Sequence, residues 1–144
     1  MKYQEYLYLQ STDSLTFYPS NSPGKFYTKL PQCLELQGMW ECCLLQMQYV
    51  NSYFAGAHIP KCLYVCSQIV TESIVNERKI PILRRIHNVT TENLLNQTIE
   101  TDIKNLIYIP IVGERIDVIN IYIYILDESS NPVTFRTCAC YASH

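Results

Sequence analysis

The sequence predicts an all-β fold, an antiparallel β-sandwich of about eight strands, the count at which two packed sheets close over one core. Three observations carry this. Short runs rich in Tyr, Ile, Val and Leu recur along the chain, separated by clusters of Pro, Gly, Asn and Ser. One of them, Ile119, Ile121, Ile123 and Ile125, alternates strictly, which is the period of a half-buried strand. No long apolar stripe at helical spacing separates the runs, so nothing reads as a strand-helix-strand unit.

Taken in order, residues 3–9 alternate and read as a first strand. "PSNSPG" at 19–24 is a turn, and residues 25–30 form a short strand closed by Pro31. Gly38 precedes a longer strand over 39–49 in which the apolar set changes phase. Trp40, Cys42 and Leu44 share one face, whereas Met47 and Tyr49 fall on the other, which points to a β-bulge or to burial on both faces. Residues 51–60 are a loop, 61–69 a strand, and 80–86 another, with a turn near Asn76. In "NVTTENLLNQTIETD", Thr91 and Glu92 open either a short helix over Leu94, Leu95 and Ile99 or a loop with one strand. Residues 105–109 are extended up to Pro110. The isoleucine strand follows, then the turn "DESSNP", then a last strand over 133–141. Trp40, Leu44, Ile119, Ile121, Ile123 and Phe135 are the expected core. Eight strands in two sheets match a single jelly roll. An immunoglobulin-like sandwich is the main competitor, but Trp40 stands at the wrong spacing from the cysteines.

The length of 144 residues corresponds to one domain, expected over residues 1–144. A hydrophobic content of 48% argues against disorder, and a charged content of 17% leaves a small solvated surface or one covered by partners. The net charge is −2, and the one basic cluster, Arg78, Lys79, Arg84 and Arg85, reads as a solvated strand edge. Direct binding of nucleic acid is therefore not expected. No apolar run has the length of a signal peptide or a membrane span, so a soluble chain that starts in the cytosol is expected. Seven cysteines, an odd number, then argue against a disulfide framework. Cys42 and Cys43 are adjacent, Cys62 and Cys66 have three residues between them, and Cys138 and Cys140 one. None has common zinc-site spacing, and His58, His87 and His144 stand alone.

Catalytic chemistry finds little footing. A Cys–His nucleophile has no local signature here. Glu35, Glu41, Glu72 and Asp117 are the candidate carboxylates for glycoside hydrolysis, but most fall at outward strand positions. With only four glycines, Gly24, Gly38, Gly56 and Gly113, there is no phosphate-cradling loop. The expectation is a protein that is not an enzyme, with no cofactor and no metal. Tyrosine is the anomaly, at twelve copies. Tyr122 and Tyr124 interleave with the isoleucine face. Such residues lie flat on a sheet or in a second buried face, meet another subunit, or stack on a ligand. The pair Tyr122 and Tyr124 is the candidate interface.

The stretch "LTFYPSNSPGKFYTKLPQCLELQGMWECCLLQMQY" resembles the capsid products of Polinton (Maverick) elements and the related adintoviruses. Tyr18, Pro19 and Asn21 match an aromatic-Pro-Asn turn. Phe26, Thr28, Lys29, Leu30 and Pro31 match a second element, and Gly38, Trp40 and Glu41 a third. "VTESIVNERKIPILRRI" and "YIPI…IDVINIYIYILDESSNPVTF", the latter ending in Pro132 and Phe135, are similar in order to later family segments. The resemblance implies a minor capsid protein, or penton. Such a protein is a single jelly roll forming a homopentamer at icosahedral vertices, with itself and the major capsid protein as partners. It resides in the virion capsid, and in host cytoplasm or nucleus during assembly. Two departures stand out: the tail "CACYASH" where the family ends in basic residues, and Tyr122 and Tyr124 where it places charges. The alternative is a non-enzymatic jelly-roll binding module for a glycan or a host protein.

Overall fold

The structure is a computed structural model and describes residues 4, 6–22, 24–50, 61–87, 98–113, 115–116 and 121–133. All regular structure among these residues is β. The strands are β1 (Lys25–Thr28), β2 (Leu34–Glu35), β3 (Glu41–Cys42), β4 (Gln46–Val50), β5 (Cys62–Ser67), β6 (Ser73–Val75), β7 (Arg78–Ile80), β8 (Ile82–His87), β9 (Thr98–Asp102), β10 (Ile109–Pro110), β11 (Arg115–Ile116) and β12 (Ile121–Leu126).

A four-stranded antiparallel sheet in the order β1-β12-β5-β8 forms the larger layer. Strand β12, with its period-two isoleucines, lies between β1 and β5, where both backbone edges are paired. Four two-stranded antiparallel pairs surround it: β4 with β9, β3 with β10, β2 with β11, and β6 with β7. The β4–β9 pair packs on the larger sheet. Met47 and Tyr49 of β4 share a core with Leu63 and Val65 of β5, Leu83 and Ile86 of β8, and Ile125 of β12. A second cluster, Leu30, Leu36 and Ile116, lies under the β2–β11 pair. A third, Cys66, Ile80, Ile82 and Leu126, covers the opposite face of the larger sheet under the β6–β7 hairpin. Both faces of that sheet are thus buried in part, which is why β5 reads as almost continuously apolar.

Turn chemistry holds the strands in register. The β6–β7 hairpin turns on Asn76 (φ 51°) and Glu77 (φ 66°), two left-handed residues in succession, the geometry whose twist matches that of paired strands. The Asn76 amide also donates to the Glu128 carbonyl and to Ser130 Oγ, both at 3.0 Å, tying this hairpin to the turn after β12. In that turn Asp127 Oδ1 accepts from the backbone amides of Ser129 and Asn131, each at 2.9 Å.

Several expectations need correction. Residues 4 and 6–9 do not form a strand. The outer edge of β1 is occupied by side chains instead of a strand: Asn21 Nδ2 donates to the Tyr27 carbonyl at 2.8 Å, and Asn21 Oδ1 accepts from the Tyr27 amide at 2.9 Å. Ser14 Oγ accepts from the Lys29 amide at 3.0 Å, closing the next position. The strand expected over 39–49 is two strands, β3 and β4, which pair with different partners, β10 and β9. The change of apolar phase marks that exchange of partner. Trp40 and Leu44 are half-buried, against the second and first clusters respectively, and Ile123 is half-buried between the two. Ile125 of β12 is deeply buried. Residues 98–102 are strand β9, so a helix does not extend over Ile99. The rest of that region (88–97), the loop 51–60, residues 134–141, Ile119 and Phe135 lie outside the described residues, as does the Ile121 side chain.

Candidate functional site: a tyrosine-faced sheet

The outward face of the larger sheet is set by alternation. In β1, Phe26 and Thr28 are buried, so Lys25 and Tyr27 point away from the core. Register then places Tyr27 directly opposite Tyr122, and Lys25 opposite Tyr124. The rings meet as the register requires. Tyr27 and Tyr122 stack with centroids 4.2 Å apart and planes at 18°. Tyr124 continues the stack at 5.2 Å from Tyr122, and Tyr18, from the preceding turn, adds a fourth ring at 5.3 Å from Tyr27. Cross-strand aromatic pairs of this kind stabilise by about 0.5–1 kcal/mol beyond their buried area.

The two ends of the row differ. Tyr124 lies opposite Cys66 and packs on the third cluster. Burial, with smaller contributions from Cys66 and Tyr122, pushes its hydroxyl up to about 12. Cys66 is fully buried, its thiol donating to the Tyr64 carbonyl at 3.5 Å, and burial holds it at about 12 as well. Tyr122 is raised too, chiefly by burial, and its backbone amide donates to Gln68 Oε1 at 3.1 Å. Tyr27, by contrast, is 39% exposed at the β1 edge. Within the row, Tyr27 is exposed and Tyr18, Tyr122 and Tyr124 are half-buried, so the patch expected at Tyr122 and Tyr124 extends to Tyr27 and Tyr18.

A second exposed apolar stretch, which the sequence reading did not single out, lies around β10, and its Ile107 reaches the other edge of the same sheet. In the loop before and after β10, Ile107, Tyr108 and Val112 are each more than half exposed. Ile107 borders a shallow hollow with Ile82, Arg84 and Arg85 of edge strand β8. Arg84 Nη1 donates to the Asn105 carbonyl at 2.7 Å and holds that loop on the sheet. The only cue in the sequence was "NLIYIPIV", an apolar run too irregular for a strand.

The other named residues are dispersed. Of the motif positions, Phe26, Thr28 and Leu30 are buried, Pro19, Lys29, Pro31, Glu41 and Pro132 are exposed, and Lys29 Nζ sits 4.2 Å above the Phe17 ring. Gly38 has φ +84°, a conformation that suits glycine, and two residues on the Trp40 indole donates to the Gln37 carbonyl at 2.9 Å. Among the candidate carboxylates, Glu35 faces Arg115 at 3.8 Å on the surface, Glu41 and Glu72 are exposed, and Asp117 lies outside the described residues. His87 is exposed on β8. His58 and His144 lie outside the described residues. Cys33, Cys42, Cys43, Cys62 and Cys66 carry free thiols, and Cys138 and Cys140 also lie outside them. Among the described residues no helix is long and apolar enough to cross a membrane.

These features define an all-β protein of several antiparallel sheets with an aromatic outer face. No family model, curated protein or solved structure matches the chain.

Proposed function

We propose that the chain is a structural capsid subunit: a minor capsid, or penton, protein of the Polinton and adintovirus kind, with jelly-roll connections, assembling as a homopentamer that meets the major capsid protein at the vertices of a virion shell. The motifs of its first half and the isoleucine strand with its acidic turn support that reading, in the order the family has them. The observation that carries it furthest is the pair of unlike apolar patches on opposite edges of one sheet, the tyrosine row with exposed Tyr27 beside β1 and exposed Ile107 beside β8. A cyclic ring beyond a dimer needs two different flanks, because each subunit offers one surface to the neighbour ahead and another to the neighbour behind. Tyrosine suits such a flank, since it brings area and a polar tip that keeps the unassembled subunit soluble. Catalysis plays no part in this role.

The test is the native mass of the purified chain by sedimentation velocity across a concentration series. One discrete species of five copies is expected. A chain that stays monomeric at the highest concentration overturns the reading. The second reading, a binding module for a glycan or host protein, draws on a hollow of about 620 Å³ between β4 and the larger sheet.

A further inference from the structure

Strand register sets one pair of rings in the tyrosine row closer than the rest. Tyr27 of β1 and Tyr122 of β12 stand directly opposite on neighbouring antiparallel strands. Side chains so placed rise together from one face of the sheet. Their rings are nearly parallel, at 18°, with centroids 4.2 Å apart. The ring carbons beside the two hydroxyls therefore lie next to each other. The pairs Tyr18–Tyr27 and Tyr122–Tyr124 are wider, at 5.3 and 5.2 Å, and more tilted, at 30° and 28°. The rings also differ in freedom. Tyr124 is packed on the third cluster, and Tyr122 is half-buried on a strand paired along both edges. Tyr27 is exposed, on a four-residue strand at the end of the sheet.

We propose that Tyr27 and Tyr122 form an oxidative cross-linking site, at which hydrogen peroxide, acting through a haem peroxidase as the one-electron oxidant, joins the two rings as dityrosine and staples β1 to β12. Each phenol gives up one electron and its hydroxyl proton. The two ring radicals couple at carbons ortho to the oxygens, and one carbon–carbon bond forms. Each ring regains its aromaticity as the hydrogen on the coupled carbon moves to the phenolic oxygen. The two electrons and two protons released reduce one hydrogen peroxide to two waters. Bond formation draws the rings out of van der Waals contact into covalent distance, and exposed Tyr27 on its short strand makes that movement. The product closes a long loop between the two residues. It removes freedom from the unfolded chain and so stabilises the folded one. The bond lies within one subunit and does not rest on the chain forming a ring.

Tyr27 also belongs to a proposed flank, so the reaction is run on single subunits. The full chain is diluted until sedimentation shows monomer and is treated with hydrogen peroxide and a haem peroxidase. Dityrosine is read by its fluorescence and placed by peptide mass mapping, the linked peptides together being lighter by two hydrogens. A link between Tyr27 and Tyr122 within one chain is expected as the main product, and with it a higher urea-unfolding midpoint. Tyr27→Phe and Tyr122→Phe retain both rings and should each abolish the link. Tyr124→Phe should leave it in place. Exposure alone favours other sites, since Tyr6 and Tyr8 are 59% and 78% exposed. Links at those tyrosines in place of Tyr27 and Tyr122 overturn the proposal. So do links formed only between chains, or the absence of dityrosine.

Discussion

Tyr124 shows how one side chain is shared between stability and surface. Its ring lies at the end of an aromatic row, yet its hydroxyl is pushed up to about 12 by burial on the Cys66 cluster. Tyr49 and Cys66 are raised to about 12 and Cys42 to about 11, against usual values of 10.0 for tyrosine and 9.0 for cysteine. In each case the fold favours the neutral, protonated form. Below pH 9 both folded and unfolded chains hold these protons, so the contribution is complete there and independent of pH. As pH rises from 9 through about 12 the unfolded chain loses its protons first, and stability falls. Urea midpoints measured across that window should therefore decline steadily, and Tyr124→Phe, which has no hydroxyl to ionise, should decline less. Trp40 makes the converse point. A fully buried indole replaced by alanine costs about 3–5 kcal/mol. Trp40 is half-buried, with its N–H satisfied by Gln37, so Trp40→Ala should cost about 2 kcal/mol, read as the shift in urea-unfolding free energy.

At the scale of an element, β1 is a short edge strand whose exposed backbone is closed by side chains rather than by another strand. Asn21 imitates a strand by pairing with both the amide and the carbonyl of Tyr27. An uncovered edge invites pairing with other chains. Asn21→Ala removes two hydrogen bonds and should lower stability by about 1–2 kcal/mol in urea unfolding. It should also raise the rate of aggregation seen by light scattering, because the Tyr27 backbone is then free to pair. Asn21→Asp tests the geometry: the carboxylate still accepts from the Tyr27 amide but can no longer donate to its carbonyl, so an intermediate loss is expected. The opposite edge strand, β8, carries Arg84 and Arg85, the long charged residues that commonly protect such edges.

For the whole molecule, two flanks on opposite edges make a sharper prediction than a mass alone. Tyr27→Glu spoils one flank and Ile107→Glu the other, and both positions are exposed enough for the fold to tolerate the charge. Tyr124→Glu is a poorer probe, since Tyr124 is half-buried against the Cys66 and Leu126 cluster and a carboxylate there would be partly desolvated. If the ring is heterologous, each single variant is monomeric alone. Mixed, the two form a heterodimer, because the intact Ile107 flank of one still fits the intact tyrosine flank of the other. Sedimentation of the mixture reads this directly. Two variants that remain monomeric when mixed, or either variant keeping the oligomer of the unaltered chain, would show that these strips do not meet.

What the sequence determined by itself is the all-β class and most of the strand positions. Both follow from local periodicity and turn residues: β1 and β5 lie within the stretches that alternation and turns mark out, and β8 and β12 overlap theirs but for one residue at the end. The phase change at 42–47 was legible as an irregularity, but not its meaning, because a change of pairing partner is a long-range event. Only the tertiary structure decided which edge was free. Residues 6–9 alternate well enough for a strand and are not one, since among the described residues no strand pairs with them, and Asn21 and Ser14 bond the outer edge of β1. Likewise Tyr122 and Tyr124 were legible as outward-facing, but their fate was not. Register brought Tyr27 onto Tyr122 and set Tyr124 opposite Cys66, so both expected tyrosines are half-buried in a row whose exposed member is Tyr27. Alternation names the two faces of a strand, but only its neighbours across the sheet decide which of them meets water.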